Sequence, residues 1–419
     1  MTTLETDMNA LGHAAKAASA TLRLASGEKR NAALRAMAKQ IRQSEATILE
    51  ANATDMTAAA DKGLSAAMLD RLKLDSARVA GIADGLDAIA ALPDPVGAVE
   101  REWTQPNGLN FSQVRVPIGV IGMIYESRPN VTADAGGLCV KSGNACVLRG
   151  GSESLRSNQA IHAALQAGLK EAGLPDASIS LVKTTDRAAV GDMLRGLDGT
   201  IDIIIPRGGK GLVARVQEDA RVPVLAHLEG LNHSYVHADA DLSKAVQVIE
   251  NAKLRRTGVC GSTETILIDD AIAEKFLPAL EAQIGSRCEL RGDGRARLVL
   301  TKISAATETD FATEHLAPIL NVAIVDGMQS ALAHIEKYGS GHTDAILTEN
   351  ENAAKIFLDS VDSAIVLHNA STQYADGGEF GFGAEIGIAT GRLHARGPVG
   401  AQHLTTYKYQ VRGTGHIRP

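Results

Sequence analysis

From residue 116 onward, short apolar stretches alternate with amphipathic ones, and this pattern restricts the fold more than anything else in the chain. VPIGVIGMIYE, ACVLRG, SISLVKT, DIIIPRGG and VPVLAHLEG read as strands, separated by helices beginning near Val131, beyond Ser154, through Val190 to Leu194 and after Lys210. Such alternation predicts a parallel sheet covered on both faces. Sheets of this kind bind ligands outside the carboxyl ends of their strands, so the loops after Tyr125, Leu148 and Ile205 are where a cofactor is expected. A second alternation follows Leu228: a strand at Val236, a helix over 242–254, a strand after Cys260, a helix over 270–284, then LVLT, LNVAIV, a helix over 328–338, AILT and AIVLH. A chain of 419 residues exceeds what one core usually supports, roughly 250 to 300 residues, so two closely packed α/β lobes are expected.

Residues 1–92 read as an alanine-rich helical cover with no visible chemistry. Leu34, Met37, Ala38 and Ile41 recur at the spacing of one buried helical face, and Ser26 and Asp75 stand where N-caps belong. In 99–117 two strand-like arms flank Gln105-Pro106-Asn107-Gly108, a strong turn sequence. LTTYKYQV at 404–411 is a candidate third strand. The hairpin is either a projecting arm that pairs with another subunit or an internal sheet edge.

The net charge of −7 and the absence of a basic run interleaved with aromatics exclude a nucleic-acid binder. Acids early in the N-terminus and the lack of a long apolar run predict neither a secretory signal nor a membrane span, hence a cytoplasmic protein. Four cysteines without paired spacing predict no disulfides, and no metal site is expected.

Cys260 sits between Gly258 and Gly261, after Lys253, Arg255 and Arg256 and before the β-branched run Thr263 to Ile268. Only a thiolate attacks carbon, and cations and turn N–H groups favour that form, so this is the setting of a nucleophile; the bland alternative is a small apolar filler. Cys139 and Cys146 fall in apolar segments and are assigned to packing. Cys288 stands near a charged turn without an evident helper. The histidines are scattered, and His227 reads as a packed or hydrogen-bonded residue. Pro206-Arg207-Gly208-Gly209-Lys210-Gly211, between a strand and a helix, can cradle a pyrophosphate, although a plain turn is the alternative; it is neither a Walker A loop nor GxGxxG. Arg149-Gly150-Gly151-Ser152-Glu153 follows another strand end, where an arginine can hold ribose hydroxyls or a 2′-phosphate. Together the two loops point to a nicotinamide dinucleotide. The glycine-rich stretch 376–387, DGGEFGFGAEIG, suits a loop that wraps a small ligand.

IYESRPNVTADAGG at 124–137, NACVLRGGSE at 144–153, IIIPRGGKG at 203–211, RTGVCGSTET at 256–265, TEHLAPIL at 313–320, GGEFGFGAEIGI at 377–388, HARGPVG and LTTYKY resemble, over nearly the whole chain, the aldehyde dehydrogenase superfamily and most closely its acyl-phosphate-reducing branch. The resemblance implies two Rossmann-like three-layer lobes with a projecting β oligomerisation arm: 1–98 and 118–226 binding the cofactor, 227–395 catalytic, 99–117 and 396–419 forming the arm. It implies Cys260 as the catalytic thiol, Glu314 as the residue holding the nicotinamide ribose, and Arg149 where the superfamily has a lysine at the adenosine ribose. Cofactor contacts are extended to Ser152, Glu153, Arg207, Gly208, Gly209 and Gly211. Where the superfamily completes its oxyanion hole with an asparagine, Ser127, Asn130 and backbone N–H groups are the candidates. His227 falls where hydrolytic members carry a water-activating glutamate, with Glu229 shifted, which leans toward an acyl phosphate; a hydrolytic aldehyde dehydrogenase is the alternative. Implied further are NADPH-dependent reduction of L-glutamyl 5-phosphate to L-glutamate 5-semialdehyde and phosphate through a Cys260 thioester, the second step of proline biosynthesis. Arg256 or Lys253 is expected at the leaving phosphate, and Arg128, Gly383 and Glu385 at the amino acid end of the substrate. A homo-oligomer and functional coupling to glutamate 5-kinase are also expected.

Overall fold

A computed structural model describes residues 2–418, the Ala67 side chain excepted. Five helices, Thr3–Leu24, Gly27–Gln43, Glu45–Asp61, Ala66–Leu72 and Ser76–Ala91, open the chain. Ser26 accepts from the Lys29 N–H at 3.2 Å and Asp75 from the Arg78 N–H at 2.9 Å, so both caps satisfy a donor that the first turn leaves free. Leu34, Met37, Ala38 and Ile41 are fully buried. Their helix packs on Ser76–Ala91 and Leu155–Glu171. On the latter Gly168 lies so close to the Met37 backbone that a Cβ there would collide with it.

The first sheet is wholly parallel, in the order Ile179–Leu181, Ala145–Arg149, Val120–Tyr125, Ile203–Arg207. Strand order reverses between Val120–Tyr125 and Ile203–Arg207, so the crevice at their carboxyl ends is the topological switch point. VPVLAHLEG does not form a full fifth strand. Pro223 has no N–H to give to a ladder, and a single bridge, Ile204 to Val224, is all that pairs.

The second sheet is also parallel, ordered Ser304–Ala305, Glu289–Gly292, Ile319–Val325, Thr263–Asp269, Asn232–Val236, Thr343–Leu347, Ile365–His368. Its two faces are covered by separate apolar clusters, one around Phe276 and one around Phe357. The LVLT segment departs from expectation: Ala296–Val299 is a helical turn. Asp293 causes this, because its carboxylate accepts from the Ala296 N–H at 2.7 Å and pins the turn to the Ile324 N–H at 3.0 Å.

Val99–Thr104, Asn110–Pro117 and Thr405–Arg412 form the antiparallel ribbon, with Gly108 at φ +91° in the turn. The 395/396 boundary differs from expectation. Ile386, Ala389, Ala395, Val399, Ala401 and Leu404 join the first lobe's core, so the chain crosses back before it enters the ribbon at Thr405. Among the described residues no helix is long and apolar enough to cross a membrane.

Candidate active site

The carboxyl ends of the first sheet and the amino ends of the second meet at one crevice. Cys260 lies on the turn just before Thr263–Asp269, at the amino end of its strand. Of the four free cysteines it alone is not buried. Burial pushes the Cys288 thiol up to about 11, and Cys139, beside Cys146, is raised as well, so these behave as packing residues.

The Cys260 turn is clamped from three sides. Asn232, fully buried, donates to the carbonyls of Cys260 at 2.6 Å and Ser262 at 2.8 Å. Gln373 donates to Ala252 and Arg256 at 3.0 and 3.1 Å. Gly230 lies against the Cys260 carbonyl with no room for a Cβ. None of these contacts uses the sulfur, and no acceptor takes the Cys260 N–H among the described residues. That N–H is therefore free to hold an oxyanion. Around the sulfur, His227 and His342 approach each other with ring centroids 5.0 Å apart. Their pairing escapes sequence reading, because 115 residues separate them and nothing local marks His342 as a neighbour of His227.

A cavity of about 740 Å³ opens beside the turn, lined by Arg71, Arg78, Arg128, Asn130, Arg256 and Gly258 among others. The Arg128 guanidinium is pushed down to about 10, first by burial and then by the positive charges of Arg207, Arg71 and Arg256. Arg255 lines the cavity too, making five arginines, of which Arg78 is paired with Asp70; such an excess of positive charge beside a thiol suits a substrate that carries a phosphate and a carboxylate. Arg71 comes from the helical cover that had shown no chemistry.

Two residues expected here are elsewhere. Lys253 has no exposed side chain and donates to Glu264 at 2.7 Å inside the second lobe, so it does not reach a leaving phosphate. Ser127, at φ 42°, turns both its N–H and its hydroxyl onto the Glu153 carboxylate, at 2.7 and 2.6 Å, which removes it from the oxyanion donors. Asn130 lines the cavity, giving one amide hydrogen to Asp134 at 2.7 Å. Arg207 reaches Glu385 at 3.9 Å, and its charge acts on Arg128 and His227. Glu385 in turn accepts from the Gly377 N–H at 3.0 Å, and Gly383, at φ +73°, packs on Leu92. The glycine-rich segment thereby folds over the crevice.

The switch point fits a dinucleotide. Gly209 caps helix Lys210–Asp219 without a side chain, and the N–H groups of Lys210 and Gly211 have no acceptor among the described residues. The Gly209 N–H already holds a carboxylate, that of Glu126, at 2.9 Å, the mark of an anion-seeking helix terminus. Gly208 packs against the same Glu126, whereas Gly211 has open space around it, so its lack of a side chain answers to no close contact. Arg149 is lowered first by burial and then, against the pull of Glu153, by Arg187 and Arg215. Its guanidinium lies 3.4 Å from the Thr185 carbonyl, so the loops after two strands converge there, with Ser152 exposed alongside. Glu314 accepts from the Gly230 N–H at 2.9 Å, next to the thiol's own turn, and burial raises its pKa. Glu229 is tied to Lys210 at 2.7 Å, so it is not a free base beside the sulfur.

A cysteine held in a crevice between two such parallel α/β lobes defines an aldehyde dehydrogenase-type oxidoreductase, and the model of the Aldehyde dehydrogenase family matches residues 2–291. Gamma-glutamyl phosphate reductase of Caulobacter vibrioides is 63% identical over 98% of this chain and 100% of that one. The crystal structure of gamma-glutamyl phosphate reductase from Thermotoga maritima superposes with a TM-score of 0.96 at 43% identity, covering 98% and 100% of the two chains. An acetylating aldehyde dehydrogenase from Geobacillus thermoglucosidasius shares the fold, with a TM-score of 0.71 at 19% identity. The chain belongs to the aldehyde dehydrogenase family, in its gamma-glutamyl phosphate reductase branch.

Proposed function

We propose that the chain reduces L-glutamyl 5-phosphate to L-glutamate 5-semialdehyde and phosphate, with NADPH, in proline biosynthesis. The observation that carries this reading is the cavity beside the Cys260 turn, lined by Arg71, Arg128 and Arg256, with the charge of Arg207 also acting on Arg128. A neutral aldehyde needs no such charge; an acyl phosphate with its own carboxylate does.

The Cys260 thiolate attacks the gamma-carbonyl carbon, and the bond from that carbon to the phosphate oxygen breaks as phosphate leaves toward the guanidinium groups. The Cys260 N–H and the free amide hydrogen of Asn130 are the donors offered to the oxyanion. Removing one donor of this kind typically costs about 10²- to 10³-fold in rate. Cys260 would hold the acyl carbon as a thioester, and a reduced nicotinamide held at the switch point would supply the hydride that turns it into a thiohemiacetal oxyanion. That adduct collapses to the aldehyde and regenerates the thiolate. The helix terminus at Lys210 would hold the pyrophosphate, Glu314 the nicotinamide ribose, and Arg149, Arg187 and Arg215 a 2′-phosphate. The positive charge of Arg149, Arg187 and Arg215 around this loop supports NADP over NAD.

Run in reverse with the semialdehyde and NADP, the enzyme is expected to form NADPH only when phosphate is supplied. Equal rates without phosphate would transfer the assignment to hydrolytic aldehyde oxidation. Arg187→Ala is expected to raise the KM for NADPH by about 10-fold, since one charge-assisted contact to phosphate is lost. The KM for NADH should not move, and an equal rise for both cofactors would count against a 2′-phosphate site.

The ribbon is the surface assigned to a homo-oligomer. Thr405–Arg412 is an edge strand that exposes Tyr407, Tyr409 and Val411 by about half, more than a solvated edge usually carries. An acyl phosphate hydrolyses readily, which favours close supply from glutamate 5-kinase. Reduced thiols suit a cytoplasmic enzyme.

A further inference from the structure

The reaction leaves the two imidazoles beside the sulfur without a role. A ring nitrogen of His227, a ring nitrogen of His342 and the Cys260 sulfur all lie within 4.8 Å of one another. In His227, Nδ1 is 2.9 Å from the Ile388 carbonyl, which can only accept, so Nδ1 carries the hydrogen and Nε2 keeps its lone pair. In His342, Nδ1 meets the Thr343 hydroxyl at 2.8 Å. His342 Nε2 is buried and has no partner, on a side chain that is 0% exposed. A buried ring nitrogen without a partner costs about 1–3 kcal/mol and calls for a ligand. Each ring thus has one nitrogen on an outer partner and a second without one among the described residues, and a nitrogen of each lies near the thiol. Metal-binding histidines are held in the same way, the outer partner fixing tautomer and ring angle.

We propose that Cys260, His227 and His342 form a site for zinc, and that the metal reversibly caps the nucleophile. One thiolate and two imidazoles favour a borderline-soft cation and disfavour magnesium or calcium, which seek oxygen. Tetrahedral zinc holds its ligand atoms roughly 3.5 Å apart, so side-chain rotations of about an ångström complete the shell. The thiol gives its proton to solvent, sulfur and two ring nitrogens donate lone pairs, and no oxidation state changes. Arg207 repels a cation here, while Glu314 and Glu385, both within electrostatic reach of His227, attract it. Three protein ligands leave the fourth position facing the crevice. Sulfur bound this way cannot take an acyl group, so the loaded enzyme is idle until the metal is withdrawn.

The test uses the full chain, freed of metal by a chelator and without substrate, so that it does not depend on the proposed reaction. Stoichiometric cobalt(II) is expected to produce a thiolate-to-metal charge-transfer band and the strong visible absorption of a tetrahedral site. Zinc should abolish both and protect Cys260 from iodoacetamide, and a chelator should restore the alkylation. Thr343→Val, which takes away the outer partner of His342, should weaken cobalt binding by about 10- to 100-fold. His342→Asn should weaken it further; if that variant does not fold, Thr343→Val decides the matter. Absence of the bands overturns the proposal. So do bands whose affinity is the same in wild type and both variants, since the thiolate would then bind metal without the imidazoles.

Discussion

Cys260→Ser is expected to lower reduction of the acyl phosphate by on the order of 10⁴-fold or more while the protein folds as before. The fold is spared because every bond holding the turn runs through the backbone: Asn232 to the carbonyls of residues 260 and 262, and Gln373 to those of 252 and 256. Serine fills the same half-open position. Chemistry is lost because a hydroxyl at neutral pH is almost wholly protonated and a poorer nucleophile than a thiolate. The arginines lining the cavity stay, so the substrate should still bind. The measurement is single-turnover formation of the semialdehyde, beside thermal unfolding and NADPH affinity. A serine variant that folds and still forms NADPH from semialdehyde in a phosphate-dependent way would remove Cys260 as the nucleophile.

The parts of this design that the sequence reveals are those with a local signature. Alternating strands and helices give the two parallel sheets because period and length are properties of short windows. Cys260 stands out because glycines flank it and a strand follows. Capping positions at Ser26 and Asp75 read correctly for the same reason. What escaped is set by contacts between distant segments. Arg71 belongs to a surface-patterned helix until the tertiary fold turns it into the cavity with Arg128 and Arg256. His227 and His342 become neighbours only when the amino ends of the second sheet gather at the crevice. Ser127 seemed free to donate until Glu153, on the loop after the next strand, took both of its donors. Proximity in sequence also misled: Lys253, close to the thiol in the chain, gave no sign that helix Leu242–Leu254 turns it inward.

That inward turn leads to the largest expected loss of stability. Lys253→Met should destabilise the protein by about 3–5 kcal/mol, because Glu264 is then left without its cation where its side chain is 2% exposed. Burial already pushes Glu264 up to about 7, held back first by the Lys253 charge and then by its hydrogen bond; without them the carboxyl climbs further and protonates at neutral pH. The double variant Lys253→Met with Glu264→Leu should recover most of the loss, since an apolar pair of similar volume carries no desolvation penalty. Position gives the pair a second consequence. Lys253 ends the helix before the Cys260 turn, Glu264 lies in the strand after it, and Glu264 also accepts the Leu316 N–H at 3.3 Å, two residues from Glu314. The ion pair therefore ties both sides of the nucleophile's turn to the loop proposed to hold the nicotinamide ribose. The double variant should regain thermal stability and still show a raised KM for NADPH, because the Glu314 loop has lost its anchor. Denaturant unfolding and cofactor kinetics on the single and double variants separate the two effects. If the double variant recovers both stability and KM together, the pair is only a packing element and has no part in positioning the site.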